Sequence, residues 1–249
     1  MRAALAASAV SEQGRRWVYA PYDQLSDAFG PLASWDPRTT GLVLVESSWK
    51  AGLRPYHQQK LAYVLANQRQ FAIEQARRGV AVRYVFDERP YDAIVATLAG
   101  ELGPLTVMEP AERELRVMLA PLVAAGAIVP VAHAGWLTDR AQFVEACGAP
   151  PWRMDAFYRR VRRDSGILMA GGKPVGGRYS FDRENRRRWD GEPEAPAPPT
   201  FVADEITEEV VGLVERRYGG HPGRVDAARL PSTAGDAARL WAWAKAECL

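Results

Sequence analysis

Between Trp152 and Arg188 the chain carries eleven Arg or Lys residues against four Asp or Glu. Aromatic rings run through the same stretch at Trp152, Phe157, Tyr179 and Phe181, and Trp189 follows it. Guanidinium forks grip phosphate oxygens in pairs and rings stack on bases, so this mixture suits a nucleic-acid surface. In "WRMDAFYRRVRRDSGILM", Trp152, Phe157, Val161 and Ile167 to Met169 recur at roughly helical spacing and predict an inward face. Arg159, Arg160, Arg162 and Arg163 then fall around the other side as phosphate contacts, joined by Lys173, Arg178 and Arg186. The plainer reading is a solvated helix face whose arginines pair with nearby acids. Gly171, Gly172, Gly176 and Gly177 would let the backbone come close to a partner.

The elements that must position these groups are read from periodicity. "RWVYAPYDQL", "GLVLVESS", "VAVRYVFD", "PLTVMEP" and "GAIVPVAH" are short Val-, Leu-, Ile- and Tyr-rich runs bounded by Gly, Pro or Asp, as buried strands are. Helical segments lie between them. The clearest is "YHQQKLAYVLANQRQFAIEQARRG", where Leu61, Leu65, Ala72 and Ala76 share a face and Gly79 follows a basic last turn. Weaker helices fit 91–100, 112–120 and 138–147. Alternating strands and helices predict an α/β, Rossmann-like fold: a five-stranded parallel sheet with helices on both faces, then a basic linker and C-terminal helices.

Ligands of such sheets sit beyond the carboxyl ends of the strands. That rule places Tyr22, Asp23 and Gln24, Glu46 to Lys50, Asp87, and Glu109 to Glu112 around one crevice. The first turn, "APYDQLSDAFG", has no Gly-x-Gly-x-x-Gly, and no Gly-x-x-x-x-Gly-Lys-Ser/Thr occurs, so a phosphate-cradling loop is unsupported. His57, His133 and His221 are scattered, with neither metal-ligand spacing nor a Ser-His-Asp pattern, and His57 reads as a cap or crevice residue.

Composition narrows the classes further. The net charge is only +2, so the basic stretch is offset by acids elsewhere. Cys147 and Cys248 are too few for a disulfide framework or a four-thiolate cluster, which favours a reducing, cytoplasmic setting. The longest apolar candidate, "MLAPLVAAGAIVPVAHAGWL", is broken by Pro121 and Pro130, and predicts no membrane span. "MRAALAASAVSEQGRR" has Ala-x-Ala spacing but a short apolar centre, which favours a frayed start over a secretion signal.

Several segments together carry a resemblance. "YDQLS", "LVLVESSWKAGLRPYHQQKLAYVLANQRQFA", "VMEPAERELR", "WRMDAFYRRVRRDSGILMAGGKPVGGRYSFDRENR" and "ITEEVVGLVERRY" occur in an order and spacing similar to the iron–sulfur bacterial cryptochromes and (6-4) photolyases, the photolyase-related proteins. The resemblance runs from about Arg16 to the last residue. It implies an α/β antenna domain over 16–148, a basic interdomain linker over 149–200, and over 201–249 the helical start of a FAD-binding domain. FAD and a four-cysteine iron–sulfur cluster then belong to a C-terminal domain absent from this chain, which should neither bind FAD nor repair DNA alone. DNA and that FAD domain are the implied partners.

The resemblance also implies an antenna chromophore, 6,7-dimethyl-8-ribityllumazine, held by an Asp in a Gly-Asp-Gln-Leu turn and by a Glu soon after the second strand. Asp23 and Gln24 match the turn, but Tyr22 stands where the family has Gly, and Lys50 stands at the acidic position. With Glu46 and Glu109 these form the expected cofactor site. Lys50 changes a group that accepts hydrogen bonds into one that only donates them. Two other readings compete: a stand-alone nucleic-acid or partner-binding module with a vestigial crevice, and a small-molecule enzyme using Asp23, Glu46 and Lys50.

Overall fold

The computed structural model describes residues 1–182 and 188–248. Packing divides the chain into two units, 1–133 with 196–249, and 134–195. The compact units therefore break at 133 and 195.

In the first unit, β1 (Arg16–Tyr19), β2 (Thr40–Ser47), β3 (Ala81–Asp87), β4 (Leu105–Met108) and β5 (Ile128–Val131) form one sheet in the order β3-β2-β1-β4-β5, every pair parallel. All five expected strands are present. The helices of this unit are α1 (Arg2–Ala7), α2 (Pro31–Ser34), α3 (Ser48–Gly52), α4 (Gln58–Arg77), α5 (Tyr91–Leu102), α6 (Arg113–Ala124), α7 (Glu205–Tyr218) and α8 (Ala234–Glu247). The opening residues, expected to fray, are helical. Leu5 packs against the buried cluster that includes Leu42 and Phe71, and the N-terminal amine meets Glu209 at 3.1 Å.

Alternation along the strands builds two cores, because successive side chains point to opposite faces. Trp17, Tyr19, Val43 and Val45 face Ile94, Val95 and Leu98 of α5 and Leu115 and Leu119 of α6. Val18, Ala20, Leu42 and Leu44 face Phe71 and Ala72 of α4. α4 also buries its small residues Ala62 and Ala66 against Val210 and Val214 of α7 and Leu230. His57 caps α4, its Nδ1 accepting from the Gln59 amide at 3.1 Å. His57 thus has the capping role read from the sequence.

The second unit contains α9 (Arg140–Cys147) and α10 (Met154–Ser165), followed by a hairpin of β6 (Met169–Ala170) and β7 (Lys173–Pro174). Asp139 and Gln142 form a capping box at the start of α9. Gly171 and Gly172 both have positive φ, as a two-residue hairpin turn of this hand requires, so they serve the turn itself. Phe143 meets Trp152 and Phe157 edge-on, with centroids 5.7 and 5.2 Å apart, and this aromatic cluster joins the two helices.

Candidate functional site

The crevice of the first unit opens at the carboxyl ends of β1, β2 and β3, with α4 and α7 as its outer wall. Its cavity volume is about 140 Å3. Tyr22, Tyr56, Phe86, Tyr91 and Tyr218 supply aromatic walls, and Lys50 and Glu112 the polar centre.

Two segments converge on Glu112, at the start of α6. Tyr22, just past β1, donates its hydroxyl to Oε2, and Lys50, on α3, donates to Oε1 at 2.5 Å. Lys50 also reaches Glu114 at 3.1 Å, and Arg54 meets Glu114 at 2.9 Å. Burial alone would lower the Lys50 pKa. Its bonds to Glu112 and Glu114 outweigh that and hold the ammonium above its ordinary value. Tyr22 is raised by burial and then by its bond to Glu112, so its phenol stays a donor. The ring of Tyr22 lies 6.3 Å from that of Tyr91.

The remaining expected cofactor residues meet different fates. Asp23 is exposed, and its carboxyl pKa is raised by partial desolvation at the strand end, with the charge on Glu112 adding to the rise. Gln24 is buried and donates to the Met108 carbonyl at 2.9 Å, tying the end of β1 to that of β4. Glu46 lines the crevice, yet its carboxylate is closed from behind by Arg69 of α4 and by Tyr84 of β3, at 2.9 and 2.7 Å from Arg69 and 2.5 Å from Tyr84. Glu109 is exposed, its nearest cation Arg116 4.0 Å away. Glu112, three residues on, is the acid that enters the crevice. Asp87 is held by Arg89, whose hydrogen bonds lower its pKa to about 2. Asp23, Glu46 and Lys50 therefore do not form one catalytic cluster, since Arg69 takes Glu46 and Glu112 takes Lys50.

In the second unit the basic residues separate into three kinds. Arg162, expected on the outer face of α10, is 5% exposed. Its guanidinium donates to the Tyr179 carbonyl at 3.1 Å and to the Leu168 carbonyl, and lies 5.5 Å from the Tyr158 ring and 5.3 Å from that of Tyr179. The chain returns over α10 after Gly166 and covers it, which helical periodicity alone does not register. Arg159 pairs with Asp155 at 2.8 Å and sits 5.0 Å from the Tyr179 ring, while Arg160 pairs with Asp164 at 2.5 Å and Glu145 at 3.1 Å. Arg178 stacks 4.2 Å from the Phe181 ring. Arg163 and Lys173 are exposed and have no ion-pair partner among the described residues. Arg186 lies outside the described residues.

A cavity of about 700 Å3 opens beside Tyr158, Arg162, Tyr179 and Phe181. Gly176 sits on its wall with φ +76°, where an added Cβ would stand 2.7 Å from the Phe181 ring. Glycine there is a packing requirement.

Among the described residues no helix is long and apolar enough to cross a membrane, and no group of three or more His, Cys, Asp or Glu could hold a metal. A family model described as deoxyribodipyrimidine photo-lyase-related protein matches residues 16–230. The chain is 32% identical over 227 residues to a (6-4) photolyase of Agrobacterium fabrum (strain C58 / ATCC 33970), an alignment that covers 87% of this chain and 45% of that protein. The chain thus spans less than half the length of that relative. With most of its length matched by the family model and its sheet built as the resemblance implies, the chain belongs to the deoxyribodipyrimidine photo-lyase-related protein family.

Proposed function

We propose that this chain is the α/β and basic-linker portion of a light-driven DNA-repair or blue-light-sensing protein, and that residues 134–195 supply its contact with DNA. FAD and iron–sulfur chemistry then belong to a helical partner domain, since two cysteines cannot provide four cluster thiolates. The free thiols Cys147 and Cys248 agree with a cytoplasmic setting.

The observation that carries the DNA reading is the arginine–aromatic arrangement of the second unit. Arg159 lies on Tyr179 and Arg178 on Phe181, beside a cavity of about 700 Å3, while Arg163 and Lys173 are exposed and without an ion-pair partner among the described residues. Cations neutralising phosphate and rings stacking on bases are the two halves of single-strand and distorted-duplex binding. The ion pairs of Arg159 and Arg160 are exposed, so phosphate can displace their acids at small cost. The test is DNA affinity of the whole chain across a salt series. Reversing Arg163 and Lys173 to Glu should flatten the slope of log K on log salt by about 1.8 on duplex DNA, two phosphates' worth. Unchanged affinity and slope would remove the DNA role.

The lumazine antenna implied by the resemblance does not fit the residues present. Its acceptor position is held by Lys50, which offers only donors and spends two of its three on carboxylates, and its glycine position by the Tyr22 phenol. The α/β unit keeps the place of the crevice and its aromatic walls without that donor and acceptor set.

A further inference from the structure

We propose that Tyr22, Glu112 and Lys50 form a built-in plug that closes this crevice to lumazine, and that Tyr22 and Lys50 are its specificity-determining residues. The inference rests on reading the crevice as the chromophore place of the family.

The two departures from the family pattern are far apart in the chain and meet on one carboxylate. Tyr22 takes one oxygen of Glu112 and Lys50 the other, so each oxygen of the acid that enters the crevice already has a donor from this chain. The charges then run Lys50, Glu112, Glu114 and Arg54, two positive and two negative, so the chain of pairs is neutral without a ligand. Lys50 is only 17% exposed. Moving it aside for a ring that needs an acceptor would leave the Glu112 carboxylate without its cation and with one phenol as its donor.

Size points the same way. The cavity of about 140 Å3 is close to the roughly 150 Å3 hole that holds a benzene molecule in an engineered core. Lumazine adds a second fused ring and a five-carbon polyol. A glycine at position 22 would return the volume that the phenol ring fills. Glutamate at position 50 would set three acids together against Arg54 alone, whereas glutamine offers a carbonyl acceptor with no added charge.

The experiment uses the whole chain and titrates it into 6,7-dimethyl-8-ribityllumazine, followed by fluorescence anisotropy. Three proteins are compared: wild type, Tyr22→Gly/Lys50→Gln, and Lys50→Gln as the milder change. Wild type is expected to show no saturable binding, and the double variant to gain affinity by about tenfold or more. Lys50→Gln should lie between. Saturable uptake by wild type overturns the plug whether or not either variant folds, and so does a folded double variant that gains nothing. DNA binding is measured on the same samples. Its loss in wild type would overturn the proposed function instead, and its retention beside a failed lumazine gain would overturn the plug alone.

Discussion

Arg69 lies against Glu46 in a two-pronged ion pair, Nε to Oε2 at 2.9 Å and Nη2 to Oε1 at 2.7 Å, with the Arg69 side chain 9% exposed and that of Glu46 3%. The pair ties the middle of α4 to the end of β2. A third nitrogen of Arg69 reaches Glu209 of α7 at 2.8 Å, so one guanidinium joins the sheet and both helices of the crevice wall. Its pKa is raised: burial opposes the charge, but the hydrogen bonds to Glu46 and its charge outweigh that.

Arg69→Met should therefore destabilise the chain by about 3–5 kcal/mol, because it leaves the Glu46 carboxylate buried without its cation. The double change Arg69→Met/Glu46→Leu should recover most of that loss, since replacing both charges removes the desolvation cost as well as the attraction. Urea unfolding monitored by circular dichroism reads both. Additive losses in the double variant would show that the two side chains do not interact as the geometry states.

High pH should unfold the protein through its buried phenols. Tyr19 is raised well above 10 by burial, and Tyr84 by burial and the charge of Glu46. Above pH of about 10 the unfolded chain loses these protons while the folded chain keeps them, so the unfolded state binds fewer protons and stability falls as pH rises. Below that pH the contribution is fully present. Each retained proton gives a slope near 1.4 kcal/mol per pH unit. Tyr84→Phe should lower the slope between pH 10 and 11 by about one such proton, measured by unfolding at several pH values. An unaltered slope would mean that the phenol is not buried beside Glu46.

The close seating of β1 on β2 gives a sharper steric prediction. Trp17 pairs in register with Gly41, and a Cβ at position 41 would stand 2.4 Å from the Trp17 ring. Trp17 is 4% exposed and has core on its far side, so it cannot swing away. Gly41→Ala should cost about 1–3 kcal/mol by overpacking, read as a lowered thermal midpoint, and Gly41→Ala/Trp17→Leu should cost less than Gly41→Ala with Trp17 retained.

The sheet was legible because its strands are apolar runs closed by Gly, Pro or Asp, and burial on both faces leaves few other sequences possible there. Helix α4 was legible through the face it turns to the sheet at Ala72, and its second contact, Ala62 and Ala66 under α7, required knowing that residues 205–218 return across it. The crevice was placed by the strand-end rule. Its polar centre was not, because Glu112 acquires its role from Tyr22 and Lys50, which lie 90 and 62 positions away in the chain. Glu46 illustrates the opposite error: it stands at a strand end as expected, but the partner that consumes it is Arg69, 23 positions on.

Arg162 tests how far the basic segment is surface and how far it is scaffold. Its guanidinium donates to two carbonyls, at Leu168 and Tyr179, and Leu168 also accepts the Val175 amide at 2.9 Å while holding φ at +55°. Its buried Nε has no hydrogen-bond partner among the described residues. A lysine ends in a compact ammonium and not a planar fork, so Arg162→Lys does not reproduce the paired contacts that Nη1 and Nη2 make with the two carbonyls. The expected outcome is faster hydrogen exchange at Val175 by about tenfold, the loss of one charge-assisted bond, with the salt slope of DNA binding unchanged. Arg163, one position on and exposed, should show the reverse pattern when changed to Gln: normal exchange at Val175 and a slope smaller by about 0.9. If Arg162→Lys instead flattened the slope and left exchange alone, the side chain would be reaching phosphate, and the covered geometry of α10 would be wrong.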